Sequence, residues 1–418
     1  MARGANGNML VMKRAAVSGE VVFSLPLDAL IRFTRCPDTR RTLSWAAPDA
    51  PWVRRPRRHK APAAPATHRM SLFARTQPRA SAALEEHAEE GLPWDLVAAC
   101  CMLDACTPDG GASAGPFWAE YAATLLPPPG SMPLPLLLRP EALEVLRVAD
   151  AAVASAAEEQ RVRLAEVLPW LAAASPPLAH GFALVRSRAF ALGGDAFAVV
   201  PFADLANHAA APSADLVVPF TAGNAVAGDP AQPPCVRLVA RRDLQPGDEL
   251  TICYSGNDAG YNNARFMALH GFVPAGGNRH ERLPLRDDVA PLCLEWLQEA
   301  VGDVAWMGML LGENERLYAA LSSMPTLNEP HAPEAAAAQL RSTRALLAAV
   351  AAAQGVLPVA AEADAAALAA AEAAGDAHMA AALRYRLERA LLWAEAGRVL
   401  TLYERSLQER FPAVASGR

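Results

Sequence analysis

The sequence has very little lysine. Only Lys13 and Lys60 occur in 418 residues, and every other basic side chain is arginine. Aromatic residues are also scarce, at 6% of the chain, although 52% of it is apolar, because alanine supplies much of the apolar count. Alanine-rich helices pack thinly and bury little area per residue. No CxxC pair occurs among Cys36, Cys100, Cys101, Cys106, Cys235, Cys253 and Cys293. An odd number of scattered cysteines argues against a disulfide framework and a structural zinc site, and fits a reducing compartment. No run of about 18 apolar residues free of proline or charge is found, so no transmembrane helix is expected. No signal peptide is evident at the N-terminus, and any transit peptide is expected to lie outside this sequence.

The net charge of −6 gives no overall pull toward nucleic acid. It is uneven, however: Arg35 to Arg79 holds 11 Lys/Arg and 2 Asp/Glu, a formal +9, leaving −15 elsewhere. This segment is proline-rich and carries Arg54-Arg55-Pro56-Arg57-Arg58, so residues 34–92 read as a disordered insertion. Basic segments do bind phosphate. Here only Trp45, Trp52 and Phe73 interrupt the charge, which favours a solvated linker, and no nucleic-acid partner is expected.

Leu10–Met12 and Val21–Leu25 read as short strands joined by a turn at Val17-Ser18-Gly19-Glu20. A helical insert is expected over 93–178, with helices at Trp94–Cys106, Pro116–Leu125 and from Glu141 to about Ala174. Val199–Phe202, Leu216–Phe220, Val236–Ala240 and Glu249–Cys253 are strand candidates, and Asn262–Leu269 a short helix. Pro246 then Gly247 suit a type II turn before Glu249. From about Leu285 the pattern is helical, with Leu383, Leu387 and Leu391 on one face.

Three motifs stand out. They are Ser187-Arg188-Ala189-Phe190; Pro201-Phe202-Ala203-Asp204-Leu205-Ala206-Asn207-His208; and Asp243-Leu244-Gln245-Pro246-Gly247-Asp248-Glu249-Leu250, continuing through Thr251-Ile252-Cys253-Tyr254. His270-Gly271-Phe272 follows. Together they resemble the SET domain, in the branch typified by the Rubisco large-subunit lysine methyltransferase. Phe117-Trp118-Ala119-Glu120-Tyr121 is similar to that branch's inserted helical region.

The resemblance implies an α+β fold of small twisted sheets with a chain-crossing near the site. It places the SET domain at 1–273 and an all-α domain that presents the substrate at 285–411. It implies S-adenosyl-L-methionine as cofactor, a protein lysine as acceptor and a monomeric chain in plastid, cytosol or nucleus. By resemblance Tyr254 is the catalytic tyrosine. Arg188, Asp204, Asn207, His208, His270, Gly271, Phe272 and Asn8 are carried over as cofactor-binding residues, and Phe190 and Phe272 as walls for the substrate side chain. Asp204 is expected to be chiefly structural, capping the amides of its turn. Phe190 favours lysine as acceptor, since the branch's histidine-methylating relative carries asparagine there.

The chemistry fits that reading. A free lysine, with a pKa of about 10.4, must be desolvated to give up its proton before it attacks a sulfonium methyl. Nitrogen and methyl must then be held about 3–3.5 Å apart. A phenol at the end of an apolar strand suits both needs, and Tyr254 follows Leu250-Thr251-Ile252-Cys253.

The sequence departs from the family at Met9, in place of a glycine, and at His270, where the lysine enzymes usually carry tyrosine. These motivate two alternatives: a weak or inactive protein-binding scaffold, and a methyltransferase with a histidine acceptor. A metal hydrolase using His180, His208, His270 and Cys253 is disfavoured, because no two of them share a metal-ligand spacing.

Overall fold

The computed structural model describes residues 2–4, 7–26, 30–34, 94–106, 115–167, 177–193, 196–218, 235–255, 260–283, 315–324, 332–357 and 360–415. The expected insertion at 34–92 lies almost wholly outside the described residues.

The strands are β1 (Ala2–Gly4), β2 (Gly7–Met9), β3 (Val21–Pro26), β4 (Ile31–Thr34), β5 (Ala189–Gly193), β6 (Ala196–Val199), β7 (Asn207–His208), β8 (Ala214–Val217), β9 (Cys235–Ala240) and β10 (Thr251–Ile252). The helices are α1 (Trp94–Cys106), α2 (Gly115–Leu125), α3 (Pro140–Ala149), α4 (Ala151–Val167), α5 (Pro177–Arg188), α6 (Asn263–His270), α7 (Glu315–Ser323), α8 (Pro333–Val356), α9 (Ala361–Ala373), α10 (Ala377–Arg410) and α11 (Pro412–Ala415). The fold is thus α+β, with a helical C-terminal region.

The chain divides into two compact units: Met1–Met132 with Glu159–Ala259, and Pro133–Glu158 with Gly260–Arg418. The division falls before residue 260 rather than after 273, and part of the expected helical insert, Pro133–Glu158, goes with the C-terminal residues.

Among the described residues the first unit holds all the sheets. Two are three-stranded, ordered β3-β9-β8 and β4-β6-β5, and two are two-stranded, β1-β2 and β10-β7. Central β9 alternates half-buried and buried residues along its length, so Val236, Leu238 and Ala240 face the core, as period-2 side chains require. The turn at Val17–Glu20 forms, with the Glu20 amide donating to the Val17 carbonyl at 3.0 Å. It does not close the expected hairpin. Residues 10–16 run antiparallel to 244–250 instead, through bridges Val11 to Glu249 and Ala16 to Leu244, while β3 pairs with β9. Among the described residues, Leu10–Met12 contributes only that Val11 bridge, and Gly7–Met9 is the strand. The turn after Gln245 is as expected: Asp248 N–H donates to Gln245 O at 3.0 Å, with Gly247 at φ +94°.

α1 packs on α5. A side chain at Gly181 of α5 would sit 2.7 Å from Leu103 Cγ and 3.0 Å from Ala99 O, so glycine permits the close approach.

The second unit is built on the 34-residue α10, against which α3, α7, α8 and α9 pack. α8 buries Ala336, Gln339, Leu340, Thr343, Leu346 and Val350, a single stripe at helical spacing. By length and hydropathy alone, Pro333–Ala373 is apolar enough to cross a membrane, with an 18-residue window of mean hydropathy 1.6. It carries Arg341, Arg344 and Pro358, so it is not the charge- and proline-free run whose absence is expected from the sequence. The value comes largely from alanine, and the stretch is divided between α8 and α9.

Candidate functional site

The site grows from a tight turn after β6. The expected strand Val199–Phe202 stops at Val199, because Pro201 has no amide to donate and Phe202 turns back with φ 68° and ψ −44°. Among the described residues Phe202 alone, other than glycine, has positive φ. Its dihedrals lie near the rare, strained form of the γ-turn. The Asp204 amide closes the turn on Val200 O at 3.0 Å, and a short 3-10 helix follows at Ala203–Leu205.

That helix delivers Ala206, Asn207 and His208 to the other half of the site. β7 pairs in parallel with β10, Asn207 beside Thr251 and His208 beside Ile252. Two segments more than forty residues apart are thereby joined. The Tyr254 hydroxyl donates to Ala206 O at 2.9 Å, and the Tyr254 amide donates to His208 Nδ1 at 3.2 Å. Burial pushes the Tyr254 phenol up to about 12, so it is protonated at physiological pH. Burial pushes His208 down to about 4, which keeps Nδ1 unprotonated and able to accept. Phe190 and Tyr254 pack, half-buried, against one apolar cluster that includes Ala206, Leu250 and Ile252.

The Asn207 side chain donates to Glu249 Oε1 at 2.7 Å. Ser213 ties the same layer together: its Oγ donates to Glu249 O at 3.0 Å and accepts from the Thr251 amide at 2.8 Å. Motif reading did not single out Ser213, Ala206 or the Glu249 side chain. No signal pointed to Ser213, which lies in the loop before β8.

Behind the turn lies a buried polar knot. The Asp204 carboxylate is fully buried. It accepts from the Tyr121 hydroxyl and, at 3.2 Å, from Arg188 Nη1, which also donates to Asp204 O at 2.8 Å. Burial raises the Asp204 carboxyl above the usual carboxylate range, opposed first by the Arg188 charge. The carboxylate is occupied inside the protein, by side chains of α2 and α5. Tyr121, noticed only as part of a helix, is the residue whose role the sequence did not disclose. Arg188 keeps one buried donor, Nε, without a partner among the described residues, and His180 Nδ1 is in the same condition.

Arg188, Phe190, Asp204, Asn207, His208 and Tyr254 therefore share the first unit. His270, Gly271 and Phe272 belong to the second. Gly271 is the left-handed C-cap of α6, with φ 73°. The His270 ring lies 6.2 Å from Phe266 and 6.1 Å from Phe272 between centroids. Asn8 pairs with Arg3 across β1 and β2, and its side chain lies outside the described residues. Among the described residues no group of three or more His, Cys, Asp or Glu could hold a metal ion.

No protein-family model and no curated protein matches this sequence. Solved structures do match. The SET domain of LSMT bound to lysine and AdoHcy aligns at 16% identity and TM-score 0.52, covering 98% of this chain and 87% of that one. Rubisco LSMT bound to AdoMet aligns at 15% identity and TM-score 0.52, covering 98% and 88%. Rubisco LSMT bound to sinefungin and monomethyllysine aligns at 16% identity and TM-score 0.51, covering 98% and 88%. The chain has the fold of these SET-domain proteins.

Proposed function

We propose that the protein is an S-adenosylmethionine-dependent protein-lysine N-methyltransferase acting on a non-histone protein. The observation that carries this reading is the Tyr254 hydroxyl donating to the Ala206 carbonyl, on the parallel pair that joins Asn207-His208 to the strand before Tyr254. The neighbours bound to AdoMet, AdoHcy, sinefungin, lysine and methyllysine support the choice of cofactor and acceptor.

The donor set suits such a cofactor. Arg188 Nε is a buried cationic N–H with no acceptor among the described residues, and a ligand carboxylate would satisfy it. Asn207 and His208 would hold the remainder. When bound, the cofactor supplies an electrophilic methyl on a sulfonium.

The chain's own residues do the rest. The Tyr254 proton is engaged by Ala206 O, and a phenol oxygen that donates can also accept, here from an N–H of the incoming amine. Phe190, half-buried in the same apolar cluster, suits the aliphatic stem of a lysine. Apolar surroundings disfavour the ammonium form and release the neutral amine that attacks.

The test is methyl transfer from labelled cofactor to a protein extract, with cofactor binding measured by calorimetry on the same preparation. Label on protein lysines, mapped by mass spectrometry, is expected. Binding without transfer to any protein would instead favour a scaffold that keeps the fold.

A further inference from the structure

Tyr121 lies on α2, 3% exposed, far in sequence from every motif of the site. Its hydroxyl does two things at once. It accepts the Phe202 amide at 2.9 Å and donates to the Asp204 carboxylate. Its ring meets Phe202 edge-on at 5.4 Å between centroids and stacks on Phe117 at 5.8 Å. Amide, ring and following carboxylate of the strained turn are thus all held by one side chain. Arg188 holds the same turn from the other side, through the carbonyl and carboxylate of Asp204.

A non-glycine residue in this conformation persists only where its surroundings over-determine it. Four residues later the same turn presents the Ala206 carbonyl that receives the Tyr254 proton. We propose that Tyr121 is a positioning residue: by holding Phe202 at its positive φ it sets the Ala206 carbonyl, and with it the direction of the Tyr254 hydroxyl. Its effect on turnover rests on the methyl-transfer reading given above.

The chain has six tyrosines, so ring-carbon labelling at Cζ gives six resonances, and Tyr254→Phe identifies the one of interest. In full-length Tyr121→Phe the Tyr254 resonance moves. Turnover falls by about 10²-fold, as misplacement of a reacting group by a fraction of its own size predicts. An unmoved resonance with unchanged turnover, whatever the melting temperature does, would overturn the proposal. Glycine tolerates positive φ without help. Adding Phe202→Gly to Tyr121→Phe is therefore expected to bring the resonance back toward that of Phe202→Gly alone. This comparison also stands if Tyr121→Phe by itself fails to fold. A persistent difference between the double variant and Phe202→Gly would overturn the route through Phe202. Absence of methyl transfer in the wild type would count against the proposed function only, because the resonance reports the positioning without turnover.

Discussion

On the proposed reading Tyr254 and Asn207 do different work, and substitution separates them. Tyr254→Phe removes a hydroxyl aimed at Ala206 O and leaves the ring in its apolar cluster. Turnover is expected to fall by about 10²-fold, the scale for losing one preorganised polar group in a water-poor site. Cofactor affinity should stay nearly constant by calorimetry; full activity would remove Tyr254 from the chemistry. Asn207→Ala takes away the donor to Glu249 Oε1. Cofactor affinity is expected to weaken roughly tenfold, about one hydrogen bond's net contribution, and unchanged affinity would take Asn207 out of the binding site. His208 gives the site its acid sensitivity. Its folded pKa, about 4, lies below the unfolded value of 6.5. The unfolded chain therefore binds the extra proton first, and stability drops as pH falls from 6.5 through 4. Melting temperatures over that range should fall less steeply in His208→Asn than in the wild type; parallel curves would rule out His208 as the source.

Elements inherit these constraints at their ends. α6 starts with the Asn262 side chain accepting from the Arg265 amide and stops at Gly271. That glycine has φ 73°, and a side chain on it would lie 2.7 Å from Pro133 C and 2.8 Å from Leu134 N. Both contacts are backbone, so the neighbours have little room to yield. Gly271→Ala is expected to cost at least about 2 kcal/mol, from positive-φ strain together with overpacking. A melting temperature within a degree of wild type would show that the backbone of Pro133–Leu134 gives way. β9 illustrates the opposite case, where alternation along Cys235–Ala240 alone settles which side chains go inside.

At the scale of the whole chain, the second unit is discontinuous in sequence and is stitched by buried charge. Arg389 on α10 reaches Glu281 at 3.2 Å and Asp150 at 3.8 Å, while the Tyr385 hydroxyl donates to Asp150 Oδ2 at 2.7 Å. Residues near 150, 281 and 389 thus meet at one helix. Glu281 is 2% exposed and burial raises its carboxyl above the usual range. Arg389→Met leaves that carboxylate without its cation, at a cost of about 3 kcal/mol or more. A carboxyl raised in the folded state binds protons more tightly folded than unfolded, so the deficit should grow as pH rises above 4.5 and shrink in acid. Thermal melts of the variant and wild type across pH 4 to 8 measure this; a deficit independent of pH would mean that packing, not charge, is lost.

Much of the site could be read along the chain because it is local. Pro246-Gly247 writes its own turn, Asn207-His208 and Leu250–Tyr254 carry their own spacing, and Val236–Ala240 its own alternation. Backbone preference and side-chain period act over a few residues, and a sequence displays them directly. Partners that lie far apart in the chain were not readable. Nothing adjacent to Val21 tells that β3 pairs with β9 rather than folding back on Leu10–Met12. Nothing near Tyr121 announces that its hydroxyl ends on Asp204, nor that Arg389 joins Asp150 to Glu281. Those choices are made by burial: a polar group removed from water must find a partner wherever the packed chain supplies one. The sequence by itself determined the local turns, the strand that carries the phenol and the motif that faces it. The tertiary structure alone decided which distant side chains hold them in place.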